Sequence, residues 1–195
     1  SIVGASELAA FFASPATVLF AFFSREILII LFDNSSVAIG SALLAILAPS
    51  VTLVSILTII NTVLEAKGGY TIPLASMSAG GIAKIIVSSF LVGKTEIAIW
   101  GAPIGTFVSY LVSILLSLAI YSNRVGNAFL VVKAFFKSSA CAVIAVIPTI
   151  AIRNHFLKEN YFYSVFLLTL YAVIYLLLSF LSGSLPVKCT KIIAK

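Results

Sequence analysis

Long uncharged apolar runs make up most of this chain, and short polar interruptions separate them. No charged side chain occurs from Asn34 to Leu64, from Ile97 to Asn123, or from Asn160 to Val187. A helix of about 20 apolar residues crosses the ~30 Å hydrocarbon layer of a bilayer, whereas a buried helix in a water-soluble domain is shorter and flanked by charge. The pattern therefore predicts an all-α, polytopic transmembrane helix bundle of about six spans.

The polar interruptions place the helix ends. The first span covers residues 6–24, with Pro15 in its middle. The second follows the turn-like Asp33-Asn34-Ser35-Ser36 cluster and runs to Glu65, with Pro49 inside it. It is longer than one perpendicular crossing needs, which predicts tilt, a kink at Pro49 or an emerging end. Gly68-Gly69 is a stop signal for it. The third span covers 70–92, with Pro73 in its first turn, where a missing N–H costs little. The fourth covers 97–121 and carries Gly101, Pro103 and Gly105. The fifth covers 129–152, with Pro148 near its end. The sixth covers 161–181 and opens on Tyr161, Phe162 and Tyr163, rings suited to the headgroup layer.

Composition agrees with this picture. Of 195 residues, 62% are hydrophobic and only 9% charged, too few charges for a water-exposed surface. The net charge of +6 is spread one or two residues per loop, which carries topology and does not suggest nucleic acid. Lys67, Arg124, Lys133, Lys137, Lys188, Lys191 and Lys195 fall on one side of the predicted spans. Arg25, Lys94, Arg153 and Lys158 fall on the other. The excess predicts a multi-pass protein of the cell membrane with the first set, and the C-terminus, in the cytoplasm. The chain opens Ser-Ile-Val-Gly without the basic, apolar and cleavage regions of a signal peptide, and an internal start with preceding spans is expected. Cys141 lies in an apolar run and Cys189 in the basic tail, and no pairing between them is expected.

Little in the chain suggests catalysis. The lone histidine, His155, sits in an Arg-Asn-His loop without metal-ligand partners, and no nucleophile–base set, phosphate-binding glycine loop or paired carboxylate is present. Neither an enzyme nor a cofactor is expected. Lys84 is the sharpest polar signal, because a lysine near the centre of a span costs about 3 kcal/mol on insertion scales and usually faces a wet cavity or a partner. The alternative is a snorkelling lysine, although the loop at Lys94 is about 15 Å away at helical rise. Asn61 and Glu65 are four apart and share a helix face, with Lys67 beside them; they can equally be an ordinary helix end settled in the interface. Arg25-Glu26 reads as an interfacial pair or an extracellular gate contact. Lys84, Asn61, Glu65, Lys67 and Arg25 form the candidate substrate-binding set. Pro49, Pro103 and Pro148 suit helices that bend in transport, or simple tolerance of proline in a membrane helix. Gly80-Gly81 and the Gly101, Gly105 pair suit close helix contact.

Several stretches in order then resemble one family. They are Glu26-Ile27-Leu28-Ile29-Ile30-Leu31-Phe32, Leu47-Ala48-Pro49-Ser50, Asn61-Thr62-Val63-Leu64 with Lys67-Gly68 and Pro73, and Gly81-Ile82-Ala83-Lys84-Ile85. The run from Trp100 through Gly101, Pro103 and Gly105 to Tyr110 completes the set. This is similar to the C-terminal part of the polysaccharide-biosynthesis and stage V sporulation protein B-like flippases of the multidrug/oligosaccharidyl-lipid/polysaccharide (MOP) exporter superfamily. Glu65-Ala66 departs from the family, which often carries Gln-Gly there. The resemblance implies that residues 1–121 supply four helices of the C-terminal flippase lobe. Residues 122–195 would supply two additional helices and a basic tail, and the N-terminal half would be a missing partner. It also implies transport of an undecaprenyl-linked oligosaccharide or lipid II-like peptidoglycan precursor by alternating access, amid membrane lipids and with no nucleic acid. Lys84 would be its pyrophosphate contact, and the last two helices would cradle the polyprenyl tail. A cation-coupled multidrug extruder of the same superfamily, which wants an embedded acid, and a non-transporting scaffold, which tolerates loss of Lys84, remain open alternatives.

Overall fold

The computed structural model describes residues 2–32, 37–93, 98–124, 129–155 and 161–182, and all seven elements in them are α-helices. They are α1 (Ile2–Phe22), α2 (Ser24–Leu31), α3 (Val37–Ala66), α4 (Thr71–Val92), α5 (Ala98–Arg124), α6 (Phe129–His155) and α7 (Tyr161–Leu181). All except α2 are long and apolar enough to cross a membrane. The chain is a multi-pass membrane protein built as an α-helical bundle.

The helices pack side by side in the order α4, α5, α3, α1, α6, α7, with α2 lying against α3 and α7 at one end. Two apolar clusters fill the seams. One joins Ala10 and Ala13 of α1 to Ile60 of α3, Ile114 of α5 and Val131 and Phe135 of α6. The other joins Val18 and Phe23 to Ala142 and Ala145 of α6 and Tyr171 and Tyr175 of α7. Large apolar side chains point outward on every span, as a hydrocarbon surround permits. Association of such helices rests on close packing and interhelical hydrogen bonds, because lipid tails are as apolar as the helix surfaces.

Helix ends follow local chemistry. The α3–α4 turn closes through Gly69 N–H to the Leu64 carbonyl (3.0 Å) and Gly68 N–H to the Glu65 carbonyl (2.8 Å). Gly68 has φ +79°, so this is a Schellman ending whose left-handed residue is a glycine, at the predicted stop. The first span ends at Phe22, close to the expected Ser24: Phe23 (φ −117°, ψ 22°) interrupts the helix, and the chain restarts as α2, a short helix that the sequence pattern did not predict. The fully buried Phe23 ring anchors the break 5.7 Å from Tyr171, and α2 lies close on α3, where a Cβ at Gly40 would stand 3.0 Å from Leu28 Cδ1.

Pro15 deprives the Phe11 carbonyl of its helical donor. The Tyr175 hydroxyl of α7 donates to that carbonyl at 2.9 Å. The Ser138 hydroxyl of α6 donates to the neighbouring Ala10 carbonyl at 3.0 Å, and Thr17 and Thr52 join α1 to α3 at 2.7 Å. Neighbouring helices thus repair the weak point of α1.

Candidate functional site

Lys84 lies eight residues before Val92, the last residue of α4, or about 12 Å along the axis. α4 packs on α5 along one narrow face and meets α3 only briefly, so most of its surface is open. Leu74, Met77, Ile82, Ile85, Ile86 and Phe90 are all exposed on it. Lys84 is exposed among them, and no described residue pairs with its ammonium. Its backbone, by contrast, is pressed to the seam: a Cβ at Gly105 would lie 3.4 Å from the Lys84 carbonyl oxygen and would collide with the Ser88 hydroxyl. The ammonium therefore projects from a fixed length of helix, beside its junction with α5.

Small residues make that junction. A Cβ on Gly80 would collide with the Ser113 hydroxyl and stand 2.6 Å from the Ser109 carbonyl oxygen. One on Gly101 would stand 2.9 Å from Val92 Cγ2. The Gly101, Gly105 spacing continues as Ser109, Ser113 and Ser117, a repeat of four that the sequence reading overlooked. Ser113 and Ser117 bond inward. Ser113 donates to the Ser76 carbonyl (3.1 Å), and Ser76 donates to the Pro73 carbonyl (2.9 Å). Ser117 Oγ stands 2.8 Å from Ser76 Oγ and 3.0 Å from Asn61 Oδ1. Its single proton serves one of these acceptors at a time.

The candidate set is not gathered into one place. Asn61 is buried between α3 and α5 as the terminus of the serine chain. Glu65, one turn on, is exposed in the last turn of α3, and Lys67 is exposed in the turn that follows. Arg25 is exposed on α2, at the opposite end of α3 from Lys67. Glu26 is paired from α6 by Arg153, whose Nη1 stands 3.5 Å from Glu26 Oε1. Arg153 also donates to the Phe22 carbonyl at 3.1 Å, so one guanidinium joins the end of α1, the first turn of α2 and the end of α6. Glu26 Oε2 is buried without a hydrogen-bond partner. No spacing rule links positions 26 and 153; only the shared side of the membrane predicted for Arg25 and Arg153 hinted at it.

Among the described residues, no group of three or more His, Cys, Asp or Glu is placed to hold a metal. Lys94, Lys158, Lys188, Lys191, Lys195 and Cys189 lie outside the described residues, as do the side chains of Arg124 and His155. Fold and exposure define a polytopic helical membrane protein with an exposed lysine, Lys84, near the middle of the span Thr71–Val92. No protein-family model, curated protein or solved structure matches the chain.

Proposed function

We propose that this chain forms part of a transporter of the cell membrane that moves an undecaprenyl-linked glycan or peptidoglycan precursor between leaflets, with Lys84 meeting the pyrophosphate. The observation that carries this reading is the uncovered Lys84 ammonium on α4, well inside a span and held by no described acid. A cation in low-dielectric surroundings attracts phosphate strongly, and such a position is rarely left to an ordinary lipid-facing residue. The resemblance described above points to the same substrate class. The described acids, Glu7, Glu26 and Glu65, lie within two turns of a helix end, which favours an anionic cargo over the cationic drugs of an extruder.

The test is complementation in cells lacking their own flippase, together with uptake of a polyprenyl-pyrophosphate-linked sugar into proteoliposomes. Lys84→Ala should reduce transport about ten- to a hundredfold with normal membrane insertion, the loss of one charge-assisted phosphate contact. Lys84→Arg should retain part of the activity, since charge survives but the compact ammonium does not. Full rescue by Lys84→Leu would overturn the phosphate contact and favour a snorkelling lysine.

A further inference from the structure

α6 carries a second basic feature, independent of what Lys84 binds. Its inward face is the regular series Val131, Phe135, Ser138, Ala142 and Ala145, all buried against α1 and its neighbours. Its outward face begins with Lys133 and Lys137, both exposed and four residues apart, so their side chains rise from the same side about 6 Å apart along the axis. Phe136 stands between them at 79% exposure, and the same face continues into exposed Val143, Ile144 and Ile147. The surface is therefore amphiphilic along one line: two ammonium groups in the second and third turns of α6, an aromatic ring beside them, and an apolar track running on into the span.

Electrostatics gives this surface a sign. The start of a helix carries partial positive charge, and the ammonium groups of Lys133 and Lys137 in the following turns carry the same sign. No acid lies in α6, and the stem of each lysine can lie along apolar surface while its ammonium reaches the headgroup layer. An anion at headgroup depth, attached to acyl chains that lie on the apolar track, meets every part of the surface. We propose that Lys133 and Lys137, with Phe136, form a binding site for the headgroup of an anionic phospholipid in the leaflet where α6 begins.

The test uses the purified full chain in phosphatidylcholine micelles, titrated with phosphatidylglycerol of the same acyl chains. Phosphatidylglycerol should raise the unfolding temperature of the wild type, less so in high salt. Each lysine facing an anionic leaflet contributes about 1 kcal/mol, so Lys133→Gln with Lys137→Gln should weaken the apparent affinity roughly thirtyfold. The Arg pair should keep it within a few-fold. If the Gln pair unfolds early in phosphatidylcholine alone, phosphatidylglycerol retained on the folded protein in native mass spectrometry supplies the comparison. An unchanged phosphatidylglycerol response in the Gln pair would overturn the proposal. So would an equal response of the wild type to glycerol phosphate without acyl chains, which would mark a site for free phosphate.

Discussion

Arg153 shows how much one side chain can hold in this bundle. Its guanidinium meets the last carbonyl of α1 and the carboxylate of Glu26, whose second oxygen is buried and unpartnered. Removing the cation strips a largely buried carboxylate of its Arg153 partner, whereas replacing both partners by apolar groups removes the problem with its cure. Arg153→Leu should therefore lower the unfolding temperature in detergent more than Arg153→Leu combined with Glu26→Leu. Equal losses in the two variants would show that the pair carries no such asymmetry. The same reasoning explains why Asn61 could not be placed from its sequence neighbours. Helical spacing correctly put it four residues from Glu65, but Ser117, 56 positions away, decides that Asn61 turns inward.

At the scale of elements, the α4–α5 hairpin depends on close approach. Gly80→Ala would drive a methyl group into Ser113 and to 2.6 Å from the Ser109 carbonyl, and backbone cannot move aside cheaply. A loss of about 1–3 kcal/mol is expected. Gly81→Ala, with nothing within 4 Å of the added methyl, should be neutral or slightly stabilising through helix propensity. Reversible unfolding in mixed micelles would distinguish them, and equal effects would count against this packing. Span positions and the Gly68 ending were legible because polar punctuation and left-handed turns leave local marks. Helix faces were not, since lipid and core both favour apolar side chains and periodicity loses its meaning. The restart of the chain as α2 was hidden for a related reason: a buried aromatic ring, Phe23, and not a Gly or Pro, stands at the break.

For the whole molecule, the distribution of Lys and Arg along the sequence predicts an orientation in the membrane. Impermeant maleimide, applied to intact cells expressing single-cysteine variants in a background without Cys141 and Cys189, should label positions 94 and 158 and leave 67 and 124 silent until the membrane is opened. Label at 124 and none at 158 would reverse the orientation. The fold adds a constraint in time. The Phe11 carbonyl, bared by Pro15, is satisfied by Tyr175, which lies 164 residues later in the chain. A ribosome delivers α1 before α7, so until α7 emerges α1 must wait in the bilayer with that oxygen unclaimed or hydrated. The helix at the centre of the row thus becomes structurally complete only when the helix at its edge arrives, and quality control of the nascent protein has, in that one oxygen, a marker of unfinished assembly.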